Sequence, residues 1–247
     1  MDRAEHEKYL SMDFPLRVRA ESAACEVQFG KVDRPTHANT SWDAAKFEVC
    51  AHRWVDLSEP GFGVAVLNDG RYGHSLQGGG IRVSLLRAPS YPDPSADRGH
   101  HSVTLALLPH GPDRCDVLRE AEALNQPLRF RPRAAAADGA AQGPTEGPVV
   151  GVGDERVGVS AVKLADDGSG DLIVRVWESV GDHVTTELTS STPIGSVRRC
   201  NLLEESEADG HPLVSDGTAR LELEPFQLLT IRLRRASSAP ARSPATS

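Results

Sequence analysis

Residues 30–73 concentrate side chains that could recognise a small polar molecule. The segment holds two of the three tryptophans, Trp42 and Trp54, and two of the nine histidines, although aromatic residues make up only 5% of the chain. Indole rings pack against the C–H faces of sugars, and polar or charged side chains beside them bind the hydroxyls. The same composition is also typical of a well-packed β core with a polar rim. From these residues alone, both a sugar-binding wall and a structural core remain open.

Two groups of polar side chains in this segment are candidates for a substrate-facing surface. The first group consists of Arg34, His37, Asn39, Trp42 and Asp43. The second group follows a predicted strand and consists of Asp69, Arg71 and Tyr72. The alternative for the first group is a structural loop whose polar side chains bind the backbone, and the alternative for the second is a tight turn.

Acidic and imidazole side chains also occur together near residue 100, where Asp93 and Asp97 precede His100 and His101. Adjacent residues of an extended chain point to opposite faces, so the two histidines are badly placed to bind one metal ion. A solvated polar loop is the preferred interpretation. The sequence also contains no nucleophile elbow, phosphate-binding loop or dinucleotide-binding fingerprint. The sequence therefore predicts neither a metal site nor a cofactor site in this chain.

Composition limits the partners of the chain. The formal net charge is −8, from 35 acidic and 27 basic residues, which argues against a nucleic-acid-binding protein. No apolar run is long enough to span a membrane, and the first ten residues lack the apolar core of a signal peptide. The four cysteines are scattered without metal-site spacing. We therefore predict a cytoplasmic protein with free thiols and with neither a nucleic-acid nor a membrane partner.

The elements that must position these residues are predicted to be mostly β strands. Apolar and polar residues alternate over residues 14–20, and similar short alternating runs recur along the chain. Residues 30–39 are rich in turn formers and are predicted to be a loop. Residues 116–125 place apolar side chains on one helical face, with Asp116 as the predicted cap of the helix.

The predicted fold is all-β, an antiparallel β-sandwich architecture with a large central sandwich, a smaller C-terminal sandwich and one short helix. Six strands are predicted in the C-terminal part, at residues 157–164, 172–177, 184–188, 197–202, 219–223 and 226–233. The predicted domains are a central sandwich at 1–112, a short helix with an Ala/Gly/Pro-rich linker at 113–148, a small sandwich at 149–235 and a disordered tail at 236–247.

Long ordered motifs in the chain resemble the C-terminal β region of α-mannosidases of glycoside hydrolase family 38, in its cytosolic-type and bacterial branch. The resemblance rests on RPTHANTSWD, AKFEVCAHRWVDLSE, LNDGRYG, LRAPSYPDPSAD and ALLPHG, and it continues through EALNQPLR. Later stretches, VSAVKLADDGSGDLIVRVWE and PFQLLTIRLR, resemble the terminal sandwich of the same family. Together these motifs extend over most of residues 6–235.

The resemblance implies a retaining enzyme that hydrolyses terminal α-mannosides with an aspartate nucleophile and a zinc ion. It places the nucleophile and the zinc ligands in a catalytic domain that precedes this β region, and no motif of that domain is found in the chain. The resemblance also places Arg98 on a loop that presents an arginine to the sugar in some family members. It therefore implies a part of an α-mannosidase that supports and lines the active site, with a catalytic domain and an α-mannoside as partners, and that is inactive alone.

The alternative function is a free-standing carbohydrate-binding or scaffolding β-sandwich module. A docked domain of a larger enzyme should expose apolar surface where its partner binds. An independent binding module should instead carry a small groove lined by aromatic side chains and an otherwise polar surface.

Overall fold

The computed structural model describes residues 2–3, 6–129, 148–191, 193–207, 213–215 and 218–235. The chain divides into two compact units, residues 1–132 and residues 133–247, which are described separately. Most of the predicted linker at 131–148 and the whole predicted tail at 236–247 lie outside the described residues.

The first unit is built from eleven strands and two helices among its described residues. The strands are β1 (Asp2–Arg3), β2 (Leu10–Pro15), β3 (Ser22–Val27), β4 (Gly30–Pro35), β5 (Val49–Cys50), β6 (Trp54–Glu59), β7 (Phe62–Asn68), β8 (Gly73–Ser75), β9 (Gly80–Leu86), β10 (Gly99–His100) and β11 (Leu105–His110). The helices are α1 (Ser41–Ala44) and α2 (Cys115–Asn125).

Two antiparallel sheets and one helix form the layers of this unit. The five-stranded sheet has the order β11-β7-β6-β3-β4, and the four-stranded sheet has the order β2-β9-β8-β5. The strands β1 and β10 form a separate two-stranded sheet. The two larger sheets share an apolar core that includes Cys25, Val55, Val66, Ile81 and Val83. Removing this apolar surface from water stabilises the fold by roughly 25 cal/mol for each Å² that is buried.

Helix α2 covers the other face of the five-stranded sheet. Its buried Val117 and Ala121 pack against Trp54, Ala65 and Leu67 of the sheet. Strand β6 therefore faces apolar neighbours on both sides, which explains why four consecutive residues of β6 are buried.

The second unit is a sandwich of two four-stranded antiparallel sheets. Its strands are β12 (Val150–Val152), β13 (Val157–Leu164), β14 (Leu172–Glu178), β15 (Val184–Ser190), β16 (Ile194–Cys200), β17 (Leu213–Ser215), β18 (Thr218–Leu223) and β19 (Leu228–Arg235). The sheet orders are β12-β15-β18-β17 and β13-β14-β19-β16. Alternate residues of the strands meet in one core that includes Val174, Leu188, Leu221 and Ile231.

A buried carboxylate connects two turns of the second unit. Glu178 is fully buried and accepts hydrogen bonds from the backbone N–H groups of Val180, Gly181 and Phe226 at 2.8–2.9 Å. Gly181 and Phe226 both have positive φ, which glycine adopts readily but phenylalanine rarely does, so the carboxylate stabilises an unfavourable backbone conformation at Phe226.

The all-β fold class is confirmed, and so are the helix at residues 116–125 and the positions of the six C-terminal strands to within a few residues. The predicted strand at 14–20 was displaced, because β2 ends at Pro15. Residues 30–35 were wrongly predicted as a loop, because they pair with β3 along their full length. Asp116 does not cap α2; the carboxylate of Asp113 accepts the hydrogen bond from the backbone N–H of Cys115 instead.

Candidate functional site

The first group of candidate residues lies on the short helix α1 and the loop before it. Thr40 is the N-cap of α1: its Oγ1 accepts from the backbone N–H of Asp43 at 3.1 Å and donates to the Asp43 carboxylate at 2.7 Å. The Thr40 hydrogen bond lowers the pKa of Asp43, and the nearby His37 lowers it further. His37 Nδ1 lies 3.8 Å from that carboxylate and accepts weakly from the N–H of Asn39 at 3.5 Å. The structure thus brings four of the five candidates into one short segment.

This segment presents large apolar side chains to solvent. Trp42 is 79% exposed and Phe47, just beyond the helix, is 72% exposed. Helix α1 has no buried residue, so neither aromatic side chain contributes to the core of the unit. The Nε2 group of Gln77 lies 3.4 Å from the carbonyl oxygen of Asp43 and 3.5 Å from that of Lys46, which anchors the segment to a neighbouring turn. We name residues 36–48 the aromatic loop.

Arg34 lies on β4, the strand that leads into the aromatic loop. It pairs across the sheet with Ala23 and is half-buried. Its Nε group is buried without a hydrogen-bond partner among the described residues. The charge of Arg34 also acts on the buried Cys25 thiol, whose pKa burial nevertheless raises to about 12. Such a thiol is unreactive near neutral pH, and the structure shows all four cysteines free.

The second group occupies the turn between β7 and β8, which is held by hydrogen bonds from the Asn68 and Asp69 side chains. The buried side chain of Asn68 accepts hydrogen bonds from the N–H groups of Gly70 and Arg71 at 2.9 and 2.7 Å. Asp69 accepts from the N–H of Thr104 at 2.8 Å. The Tyr72 ring lies beside the His52 ring, with 5.1 Å between centroids.

Arg98 lies on the loop that connects β9 and β10, and its side chain is exposed. The neighbouring Asp97 has positive φ and accepts from the backbone N–H groups of Arg87 and Ala88, both at 2.8 Å. These two bonds lower the pKa of Asp97, and the nearby Arg71 lowers it further. The two backbone hydrogen bonds thus anchor the loop that carries Arg98 to the end of β9.

The acidic and imidazole side chains near residue 100 serve the loop itself. The carboxylate of Asp93 accepts from both the backbone N–H and the hydroxyl of Ser95, and His101 Nε2 lies 2.9 Å from the carbonyl oxygen of Asp97. Across the part of the chain that the structure describes, no three His, Cys, Asp or Glu residues are grouped so as to hold a metal ion. The zinc ion that the resemblance implies therefore has no fitting ligand set among the described residues.

A buried polar cluster escaped the sequence analysis. Asp56, on β6, is fully buried; it accepts from His110 Nε2 at 2.8 Å, from Arg114 Nε at 2.6 Å and from the Ser58 hydroxyl at 2.7 Å. Its cross-strand neighbours are alanines, Ala24 and Ala65. A Cβ atom at Gly63 would also collide with the His110 ring. These small residues make room for the cluster, and a carboxylate inside the apolar run WVDLSE was the available signal.

A second buried carboxylate, Glu26, was also missed. It accepts from the backbone N–H of Arg53 at 2.6 Å and from the Arg53 Nε group at 2.9 Å. His52 Nδ1 lies 3.8 Å from the same carboxylate. The Glu26–Arg53 pair fixes the chain just before β6, the strand that carries Asp56.

A further hydrogen-bonded group lies exposed on the four-stranded sheet of the first unit. The Tyr9 hydroxyl lies 2.9 Å from Glu48 Oε1 and 2.6 Å from the Ser84 hydroxyl, and Ser84 also bonds Glu48. Partial burial raises the pKa of Tyr9. Glu48 immediately follows Phe47, so this group continues the polar surface beside the aromatic loop.

A β-sandwich unit that exposes aromatic side chains beside anchored polar groups fits the class of carbohydrate-recognising proteins, because aromatic rings offer large apolar faces next to polar partners. Comparison with known families agrees with this class. Residues 2–95 match the glycosyl hydrolases family 38 C-terminal domain, and residues 156–231 match the glycosyl hydrolases family 38 C-terminal beta sandwich domain. The chain belongs to glycoside hydrolase family 38, as part of its C-terminal β region.

Characterised relatives match along nearly the whole chain. The chain is 42% identical to human alpha-mannosidase 2C1 over 233 residues, which is 93% of this chain and 22% of the human protein. It is 39% identical to alpha-mannosidase G of Dictyostelium discoideum, over 92% of this chain and 21% of that protein. The chain thus spans about a fifth of the length of these curated relatives.

The fold agrees with a solved structure. The crystal structure of an alpha-mannosidase from Enterococcus faecalis V583 superposes with a TM-score of 0.72 at 20% sequence identity. The match covers 92% of this chain and 26% of that one. None of the described helices is long and apolar enough to cross a membrane.

Proposed function

We propose that this protein serves as the C-terminal β region of an α-mannosidase, where it supports a catalytic domain and lines the sugar site. The relatives that match along the chain are named alpha-mannosidases, and the two matched domains are C-terminal ones. In this proposal the nucleophile and the zinc ligands lie outside these 247 residues. The proposed compartment is the cytoplasm, where free thiols persist.

The observation that carries the proposal is the exposure of Trp42 and Phe47. A tryptophan exposed on a surface loop contributes nothing to the core, yet it presents a large apolar area to solvent. Exposed apolar surface of this kind marks an interaction site. Beside it, the carboxylate of Asp43 is held in place by the Thr40 cap. An exposed aromatic surface flanked by an oriented carboxylate suits contact with a catalytic domain at one side and with sugar hydroxyls at the other.

A binding measurement tests the docking part of this proposal. The 247-residue chain would be titrated with the separately expressed catalytic half of a close relative, and the dissociation constant measured by calorimetry. Replacing both Trp42 and Phe47 with alanine should weaken binding at least tenfold. The matched control is Leu203→Ala, because Leu203 is 79% exposed like Trp42 but lies in the second unit.

The alternative, a free-standing carbohydrate-binding module, predicts a different result. The chain alone would then bind a mannose oligosaccharide, and Trp42→Ala would abolish that binding. Two cavities of the second unit offer little support for the alternative, because neither is lined by Trp, Tyr or Phe.

A further inference from the structure

A cavity of about 380 Å³ lies on the outer face of the sheet formed by β13, β14, β19 and β16 in the second unit. Its lining is almost entirely polar, and three of its seven residues are arginines. The lining consists of Ser169, Asp171, Ser196, Arg198, Ser206, Arg232 and Arg234. Cavities of this size accept small ligands. A cluster of three guanidinium groups is unexpected in a chain whose formal net charge is −8.

The strand register forces the arginines together. Arg198 on β16 lies directly opposite Arg232 on β19, and Arg234 lies two residues further along β19, opposite Ser196. The alternating Leu233 and Ile231 point into the core, so the arginines share the outer face. Like charges directly opposite each other in an antiparallel pair are destabilising unless anionic groups compensate them.

The carboxylates at the cavity compensate only one of the three arginines. Arg232 donates from Nε to Asp171 and from Nη2 to Asp167, both at 2.7 Å, and from Nη2 to the Ser169 hydroxyl at 2.8 Å. Among the residues that the structure describes, neither Arg198 nor Arg234 forms an ion pair. Within the described ranges, these two guanidinium groups therefore face the cavity without a carboxylate paired to them.

We propose that this cavity binds a phosphate group, either as the free ion or as the phosphomonoester of a small sugar. A guanidinium group matches the geometry of a phosphate through paired N–H donors, and Arg198 and Arg234 supply two such groups from adjacent strands. Arg232 is neutralised by Asp167 and Asp171, so the positive charge available to the phosphate comes from Arg198 and Arg234. Ser196 and Ser206 supply hydroxyl donors for the remaining oxygens. The site is separate from the aromatic loop and does not depend on the mannosidase proposal.

Calorimetric titration of the 247-residue chain with inorganic phosphate, at constant ionic strength set by chloride, tests the site directly. One saturable phosphate per chain is expected, and Arg198→Gln and Arg234→Gln should each weaken it at least tenfold. Arg198→Lys keeps the charge but loses the paired donors, so it should weaken binding less than Arg198→Gln. The control is Arg220→Gln: it removes the same charge from an exposed arginine of the other sheet and should change affinity less than twofold.

The free and esterified forms of the ligand are distinguished by parallel titrations with a hexose 6-phosphate and with the neutral hexose. Tighter binding of the hexose phosphate than of inorganic phosphate would identify a sugar phosphate as the ligand, whereas the reverse would identify the free ion. Without phosphate, Arg198→Gln should unfold at an equal or higher temperature, because it relieves the repulsion from Arg232. The absence of saturable binding of either phosphate compound, or an equal loss in Arg220→Gln, would overturn the proposal.

Discussion

The Nε2 atom of His110 lies 2.8 Å from the Oδ1 atom of Asp56, where both side chains are shielded from solvent. The same carboxylate accepts from Arg114, one residue before helix α2, so one buried group connects β6, the end of β11 and the start of α2. This relationship explains how the helix is fixed against the sheet although the N-terminus of α2 has no side-chain cap from its own N-cap residue.

Asp56→Ala should destabilise the protein by about 3 kcal/mol, because it leaves the buried His110 ring, the Arg114 guanidinium and the Ser58 hydroxyl without their shared acceptor. The measurement is the free energy of unfolding from urea denaturation followed by circular dichroism. Asp13→Ala is the matched control, since Asp13 pairs with Arg82 at the surface and should matter little. Equal destabilisation by the two variants would refute the role assigned to the buried cluster.

His74 should make the protein less stable in mild acid. Its side chain is fully buried, its Nδ1 lies 3.2 Å from the Tyr72 carbonyl oxygen, and burial lowers its pKa to about 4. The unfolded chain binds a proton at this residue below about pH 6.5, whereas the folded chain does not until about pH 4. Stability should therefore fall by up to about 3 kcal/mol as the pH drops through this window.

The comparison that isolates this effect uses His74→Gln, which keeps a donor for the Tyr72 carbonyl but does not titrate. Urea unfolding at pH 7 and pH 4.5 should show a smaller acid loss for the variant than for the original chain. The same acid loss in both proteins would assign the pH dependence to other groups.

Purified protein should contain no stoichiometric zinc. The chemical reason is the lack of a suitable ligand cluster in the part of the chain that the structure describes. The zinc content per chain is measured by elemental analysis after dialysis against a weak chelator. A zinc-binding protein of similar size, treated in parallel, is the control. About one tightly bound zinc per chain would contradict this prediction and show that the chain itself holds a metal site.

Substitutions in the aromatic loop and on β4 should affect restored mannosidase activity more than a substitution at Arg98. With the catalytic half supplied separately, we expect Trp42→Ala, Asp43→Ala and Arg34→Ala to reduce kcat/KM more than Arg98→Ala. The physical reason is that side chains held in place position a substrate better than exposed ones. Thr40 holds Asp43 and the sheet holds the backbone of Arg34, whereas Arg98 is exposed beside a turn. The opposite ranking would favour the loop that carries Arg98 as the sugar-facing element.

Alternation of apolar and polar residues was sufficient to predict the all-β class and most strands, because each sheet has one face in a core. It failed at β4, where Pro35 resembles a loop residue although the end of an edge strand tolerates it. It could not reveal the Asp56 cluster, because His110 and Arg114 are more than 50 residues away in sequence. The concentration of aromatic and polar residues, not the alternation, drew attention to the aromatic loop, and the exposure of Trp42 could be seen only in the folded chain.

Hydrolysis of an aryl α-mannoside tests the central claim most directly. The 247-residue chain alone should release no detectable product, because a retaining glycosidase needs its attacking carboxylate and no aromatic wall replaces one. Addition of the separately expressed catalytic half of a close relative should restore activity above that of the catalytic half alone, and Trp42→Ala should reduce the restored rate. Robust hydrolysis by the chain alone, without zinc, would contradict the account and return attention to Asp43, Glu48, Asp69 and Asp97 as catalytic carboxylates.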